Sequence, residues 1–164
     1  MFSGIIEKIG TVKNKSKHTL IIDSEYVSKI SEISESICVS GACLTIVDKS
    51  LNSFSVNVVE ETLSRTNLGL LNEGSNVNLE SSLKLGGKIG GHMVQGHVDC
   101  VSKIKSIVKK SSSWEVKFEK PKGISRYIIE KGFICIDGAS LTITHTDESS
   151  FNVAVIPYTW ENTI

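Results

Sequence analysis

The sequence lacks the features that mark several large classes of protein. None of its four cysteines, Cys38, Cys43, Cys100 and Cys135, belongs to a C-x-x-C pair, which argues against a zinc knuckle or a thioredoxin-type motif. The 18 basic residues equal the 18 acidic residues and form no block, so nothing favours nucleic acid or an anionic membrane as a partner. The absences leave a neutral protein of ordinary composition.

Long apolar runs and a leader segment are also missing. No run approaches the roughly 18 apolar residues that span a bilayer, and the N-terminus has neither the basic region nor the apolar stretch of a signal peptide. No two histidines share a helical face with an acidic neighbour, so no metal site is expected. The sequence therefore predicts a soluble, cytoplasmic protein without a metal.

An internal repeat dominates what is present. Residues 37–66 align without gaps to residues 134–163, and 13 of the 30 aligned positions are identical, where unrelated sequences would share about one or two. Upstream, residues 1–7 (MFSGIIE) echo residues 93–99 (MVQGHVD) at a slightly shorter spacing. The chain is therefore predicted to contain one unit written twice.

Each copy has the pattern of short β-strands. Residues 54–58, 77–80, 114–118 and 151–155 alternate polar and apolar side chains with period two, which predicts half-buried strands. Short helices are predicted at 25–30, at 124–130 and just after Glu61. Such strands, in copies of about 85–90 residues, are typical of small closed barrels.

The boundary between the copies is predicted in a glycine cluster. Residues 85–91 contain four glycines, without the order of a phosphate-binding loop. The domains are therefore expected at 1–86 and 87–164. The first copy continues beyond Thr66 into another strand, whereas only one residue follows Thr163. The second barrel is expected to lack its last strand, either because the chain is shortened or because it is a piece of a longer one.

Several blocks, taken together and in order, resemble riboflavin synthase. They include MFSGIIE at the start, GACLT at 41–45, TNLG at 66–69, GGHMVQGHVD at 90–99 and IDGASLT at 136–142. The resemblance covers essentially the whole chain. It implies an all-β fold of two tandem six-stranded antiparallel Greek-key barrels, and a homotrimer held by a C-terminal helix. That helix is absent from this sequence, so trimerisation is expected to be weakened.

The resemblance also implies a reaction. Each barrel would bind one 6,7-dimethyl-8-ribityllumazine, and two of these would meet between the first barrel of one subunit and the second barrel of its neighbour. A four-carbon unit would pass from one to the other, giving riboflavin and 5-amino-6-ribitylamino-uracil without a cofactor. Such an enzyme is a transferase that completes riboflavin biosynthesis. Which barrel holds the donor is left open.

Four residues are the catalytic candidates by the same resemblance. Cys43, whose repeat partner is Ser140, would assist addition at C7 of a lumazine, either by covalent attack or by helping a water to add. His97 would move the proton of the lumazine 7-methyl group. Ser140 and Asp137 would bond and polarise the pteridine. The alternatives are a buried strand cysteine and ordinary turn residues, and His92 is expected to be structural.

The remaining candidates would hold the substrates. Backbone groups near two glycines would face the heterocycle, repeated threonines would contact the rings, and a serine and a glutamate would bond the ribityl chain. These residues are Gly4, Ile5, Ile6, Ser36, Leu44, Thr45, Glu61, Thr62, Gly96, Val98, Lys131, Leu141, Thr142, Ile156 and Thr159. Phe2 is expected to pack at a barrel mouth.

Two other functions compete with this interpretation. A non-catalytic lumazine or flavin protein, used as an optical antenna, typically loses the polar residues of its second barrel, but this chain retains them. A flavoprotein reductase would need a glycine-rich nucleotide fingerprint, and none is visible. The enzyme is therefore the preferred prediction.

Overall fold

The computed structural model describes all 164 residues. Eleven strands and three short α-helices follow one another along the chain, namely β1 (Lys8–Lys15), β2 (Thr19–Asp23), α1 (Glu25–Ile30), β3 (Ser36–Val39), β4 (Ala42–Lys49), β5 (Ser53–Asn57), α2 (Glu60–Arg65), β6 (Asn76–Ser81), β7 (Ile104–Lys109), β8 (Trp114–Glu119), β9 (Phe133–Ile136), β10 (Ala139–Thr146), β11 (Ser150–Val155) and α3 (Pro157–Asn162). The predicted all-β fold is confirmed. No helix is long and apolar enough to cross a bilayer.

The first half forms a closed six-stranded antiparallel barrel in the order β1-β2-β5-β4-β3-β6. Inward-facing residues of all six strands, with Val27 of α1 and Leu68, make one cluster of 15 buried apolar side chains. Closure leaves no strand edge in this half, because β1 and β3 both pair with β6.

The second half repeats the same order with one strand fewer. Its sheet runs β7-β8-β11-β10-β9, so each strand occupies the place of its counterpart in the first barrel and only the counterpart of β6 is missing. The predicted incompleteness is therefore observed. The outer edges of β7 and β9 are unpaired, every residue of β7 is exposed, and Phe133 at the start of β9 is 69% exposed.

The repeat extends to the unusual backbone conformations. Ser34 and Lys131 both have positive φ, and so do Ser40 and Asp137, whose values are 44° and 45°. Non-glycine residues seldom adopt this region, and both pairs are separated by the 97 positions that relate residues 37–66 to 134–163. The two halves therefore share turns as well as strands.

Two local predictions need correction. A short helix was predicted at 124–130, and the chain forms a short 3-10 helix at Lys122–Tyr127 instead, after Pro121 and with the poor helix former Gly123 in its first turn. The strand at 77–80 was expected to be half buried, but all four residues are buried. Its outward side chains are covered because Asn78 bonds Asp137 and Glu80 bonds Ser3 and Gly4.

Candidate active site

Two reciprocal hydrogen bonds join the halves at the predicted site. The amide of Cys43, at the start of β4, donates to the carbonyl of Gly96 at 2.9 Å, and the amide of Ser140, at the start of β10, donates to the carbonyl of Gly4 at 2.7 Å. Cys43 and Ser140 are repeat partners, and so are Gly96 and Gly4. Each half therefore sends the segment that precedes its first strand onto the other half.

The same contacts define a local two-fold relation. Phe2 and Val94, also repeat partners, exchange backbone hydrogen bonds of 2.8 and 3.0 Å. Gly41 and Gly138 approach so closely that a Cβ built on either would lie 3.1 Å from the amide nitrogen of the other. A local two-fold axis that relates the halves passes between these pairs. The backbone that lies beside Cys43 is therefore repeated beside Ser140.

The first pocket lies beside Cys43. It is a cavity of about 360 Å³ between the start of β4, helix α2 and the segment that crosses from the second half. Six predicted residues line it, namely Cys43, Glu61, Thr62, Gly96, His97 and Val98. Arg65 and Asp99 also line this cavity and were not predicted. The Nε of Arg65 donates to Glu61 at 2.7 Å, one helical turn away.

Three other candidates of the first half do not line that cavity. Leu44 is 6% exposed and belongs to the barrel core. Ser36 and Thr45 are paired across β3 and β4, two residues along from the pair Cys38 and Cys43. Alternation places Thr45 on the same face of β4 as Cys43, but it lies further from the junction and does not line the cavity.

The equivalent elements of the other half surround Ser140, and the region they form is called the second pocket below. Ser140 lies against Gly4, where a Cβ on the glycine would approach the Ser140 Cβ to 2.6 Å. Thr159 lies on α3 at the position that Thr62 occupies on α2, and Leu141 and Thr142 continue β10. Ile5 and Ile156 are 47% and 57% exposed, and the side chain of Ile6 reaches to within 3.2 Å of a Cβ placed on Gly138.

The sequence predicted only a structural role for His92, but its side chain contacts the candidate residue Ser140. Its Nδ1 lies 2.7 Å from Ser140 Oγ, and its ring stacks on Phe133 with centroids 5.3 Å apart. Burial lowers the pKa of His92, which favours a neutral ring that can accept the hydroxyl proton. The signal was its place just before residues 93–99, where the first half has no counterpart because that half starts at Met1.

Asp137 and Lys131 make no hydrogen bond to this hydroxyl pair, although Asp137 lines a cavity of about 990 Å³ with His92 and His97. The Asp137 carboxylate accepts from Asn67 Nδ2 at 3.2 Å and its carbonyl accepts from Asn78 Nδ2 at 2.8 Å, so the residue bridges the halves. Burial raises the pKa of Asp137. Lys131 is exposed in the turn before β9, where its amide donates to the carbonyl of Ile143.

The cysteines fall into two environments. Burial raises the pKa of Cys38 to about 12 and that of Cys135 to about 11, so these repeat partners remain protonated and pack near the two-fold axis with Phe2 and Val94. Cys43 is half buried, packs against the same cluster and also lines the first pocket. No group of three or more histidine, cysteine or acidic side chains is placed to hold a metal ion.

Comparison with known proteins gives a consistent result. The family described as Lumazine binding domain matches residues 3–82 and again residues 95–164. Riboflavin synthase from Actinobacillus pleuropneumoniae is 40% identical over 167 residues, covering 99% of this chain and 78% of that protein. Riboflavin synthase from Mycobacterium tuberculosis strain H37Rv is 41% identical over 172 residues, with shares of 99% and 85%.

Solved structures of LumP share the fold. The complex of LumP with riboflavin superposes with a TM-score of 0.90 at 23% identity, over 99% of this chain and 90% of that chain. Its complex with 6,7-dimethyl-8-(1'-D-ribityl) lumazine gives a TM-score of 0.85 at 21% identity, with the same shares. The two-fold arrangement of the halves therefore belongs to a fold seen experimentally.

Proposed function

This chain belongs to the riboflavin synthase family and is an enzyme of riboflavin synthesis, and we propose that it converts two molecules of 6,7-dimethyl-8-ribityllumazine into riboflavin and 5-amino-6-ribitylamino-uracil. The two products contain all the atoms of the two substrates, so the transfer of a four-carbon unit needs no external oxidant or reductant. The proposal includes the division at 1–86 and 87–164 and a cytoplasmic location.

The observation that carries the proposal is the pair of equivalent pockets. One pocket joins Cys43 to Gly96 and the other joins Ser140 to Gly4, in the same geometry. Two copies of one pocket suit a reaction between two copies of one molecule, because holding both in a fixed orientation removes much of the entropic barrier, on the order of 7–11 kcal/mol at most.

The chemical difference between the pockets separates the roles of the two substrates. The first pocket offers a thiol at Cys43 and the exposed imidazole of His97. The second pocket offers the Ser140 hydroxyl, which lies within hydrogen-bond distance of the neutral imidazole of His92. One lumazine must lose a proton from its 7-methyl group while the other is attacked at C7, so two unlike sets of acid–base groups serve the reaction.

The working site is proposed to lie between subunits of a homotrimer. Ser140 does not line the cavity beside Cys43, although His92 shares a larger cavity of about 990 Å³ with Gly96, His97 and Val98. In the proposed assembly each pocket of one chain would meet the unlike pocket of a neighbour. Sedimentation of the protein with and without substrate would measure the assembly. A strictly monomeric protein that still forms riboflavin would contradict this part of the proposal.

The reaction is tested by incubating the purified protein with 6,7-dimethyl-8-ribityllumazine and separating the products by chromatography. We expect one riboflavin and one pyrimidine for every two lumazines consumed. LumP, which shares the fold, is seen in complexes with lumazine and flavins, so binding without turnover would favour the antenna function instead. The absorbance of the flavin distinguishes the two outcomes in one cuvette.

A further inference from the structure

The carboxylate of Glu80 is buried at the junction of the halves and is held by the N-terminal segment alone. Glu80 lies on β6 and is 3% exposed. Its Oε1 accepts from the Ser3 amide at 2.7 Å and from Ser3 Oγ at 2.9 Å, and its Oε2 accepts from the Gly4 amide at 3.0 Å. A buried carboxylate is costly unless such bonds compensate its lost hydration.

No cation shares this task. None of the chain's ion pairs includes Glu80. Three donors from Ser3 and Gly4 therefore supply all of its side-chain hydrogen bonds, and bonds to a charged acceptor are stronger than neutral ones. Glu80 therefore holds Ser3 and Gly4 in place more firmly than neutral hydrogen bonds would.

Ser3 and Gly4 are also the residues that contact the second pocket. The Gly4 carbonyl accepts from the Ser140 amide at 2.7 Å, and the Ser3 carbonyl accepts from the His92 amide at 3.0 Å. Both partners of the His92–Ser140 pair are thus bonded to the segment that Glu80 holds. A shift of this segment would move the hydroxyl and the imidazole together.

The junction at Cys43 is built by a different segment. Gly96 presses on Cys43 as Gly4 presses on Ser140, with a Cβ on Gly96 approaching the Cys43 Cβ to 2.5 Å. The three donors to the Glu80 carboxylate all belong to Ser3 and Gly4, and none belongs to residues 93–98. A change at Glu80 is therefore expected to act on the Ser140 junction rather than on Cys43.

We propose that Glu80 is a positioning residue for the second pocket, acting through Ser3 and Gly4 on Ser140 and His92 without touching substrate. This inference rests on the proposed function, since it assigns a role to one of the two substrate pockets. Glu80 fixes the position of Ser3 and Gly4 relative to the second half. The Cys43 pocket is contacted by a different segment, residues 93–98.

The test compares Glu80→Gln with the wild type. A glutamine can keep the oxygen that faces Ser3 but presents an NH2 group to the Gly4 amide, so one charge-assisted bond becomes a donor–donor contact. We expect turnover at saturating substrate to fall about tenfold, and amide exchange at Ser140 to accelerate by a similar factor, because a bond to a charged group is worth about that much. Amide exchange at Cys43 should stay unchanged.

Asp147→Asn is the matched control. The Asp147 carboxylate also accepts from serine hydroxyls and amides, those of Ser149 and Ser150, but in a turn between β10 and β11. This variant should be less stable than the wild type, but amide exchange at Ser140 should not accelerate more than amide exchange at Cys43.

Ser3→Ala removes one of the three bonds to Glu80. It should show smaller changes of the same kind as Glu80→Gln, and it replaces that variant in the test if Glu80→Gln folds poorly.

The outcomes separate the inference from the proposed function. Equal acceleration at Ser140 and Cys43 in the Glu80→Gln variant, or turnover equal to that of the wild type, would overturn the role of Glu80. A wild-type protein that makes no riboflavin would overturn the proposed function. In that case the amide exchange rates of Ser140 and Cys43 in the Glu80→Gln variant would still decide whether Glu80 positions the second pocket.

Discussion

His92 Nδ1 lies 2.7 Å from Ser140 Oγ, whereas the imidazole that lines the cavity with Cys43, the repeat partner of Ser140, belongs to His97. The two halves are thus alike in backbone and unlike in chemistry at the point where they cross. Because burial lowers the pKa of His92, the neutral ring is the form that the folded chain favours. This relationship leads to the first prediction.

His92→Asn should lower turnover about a hundredfold, because the amide can still accept from the Ser140 hydroxyl but cannot take its proton. It should also change the pH dependence of stability. The folded pKa lies below the usual 6.5, so the stability due to this group is present above pH 6.5 and is lost as the pH falls through the folded pKa. Urea unfolding between pH 5 and pH 8, values about which histidines titrate, would measure this loss.

The control for His92 is His145→Asn, because the side chain of His145 is 61% exposed and lies away from both pockets. If the acid-induced loss of stability persists in His92→Asn and disappears in His145→Asn, the assignment to His92 is wrong.

Cys43→Ser should lower turnover by more than it lowers substrate affinity. Serine keeps the size and the hydrogen-bonding capacity of the side chain but is a weaker nucleophile and a weaker acid than the thiol. We expect a drop of about tenfold in kcat and little change in the dissociation constant measured by fluorescence titration. Cys100→Ser, outside the first pocket, should leave both quantities unchanged, and unaltered turnover in Cys43→Ser would remove the thiol from the mechanism.

His97→Gln should lower turnover by removing a proton-transferring group from the first pocket. The imidazole lines the first pocket with Cys43, and glutamine can donate or accept a hydrogen bond there but cannot carry a proton between two atoms. We expect kcat to fall by about a hundredfold while the dissociation constant of the substrate changes little. Unaltered turnover would assign the proton transfer to another group.

Asp137→Asn should raise the free energy of unfolding at neutral pH. Burial raises the pKa of Asp137, so the stability due to this group is greatest at low pH and declines as the pH rises through the folded pKa. Asparagine removes the charge, still accepts from Asn67 and tolerates the positive φ of 45°. Thermal unfolding with parallel activity measurements would check this, and a large loss of turnover would restore Asp137 as a catalytic candidate.

Gly96→Ala should destabilise the junction and weaken binding in the first pocket. The added Cβ would lie 2.5 Å from that of Cys43, at a φ of 80°. The cost of the backbone alone is about 1–3 kcal/mol. Gly74→Ala separates the two effects, because Gly74 has a φ of 86° with open space around it. Equal losses in calorimetry for both variants would mean that crowding against Cys43 contributes nothing.

The sequence predicted the strands that are repeated within it. The matching residues 37–66 and 134–163 predicted equivalent strands β3 to β5 and β9 to β11, and the lack of chain beyond Ile164 predicted the missing counterpart of β6. Periodicity failed at Glu80, where polar alternation indicated an outward, solvated side chain. A pattern along one strand cannot reveal that another part of the chain will cover its outer face.

The crossing of the halves was likewise beyond sequence reasoning. Cys43 and Gly96 are both in the repeated blocks, but nothing in one sequence indicates whether residues 93–98 close the pocket of their own half or of the other. The same uncertainty hid the contact between His92 and Ser140, which depends on that crossing. Six of the proposed residues, three from each half, nevertheless meet in one cavity.

The reciprocal crossing of residues 1–6 and 93–98 also makes each half depend on the other. The Cys43 junction takes Gly96 from the second half, and the Ser140 junction takes Gly4 from the first. A single copy of the unit would therefore lack one wall of its junction. Two copies on one chain supply both walls and, because their sequences differ, can carry different chemistry at Cys43 and at Ser140.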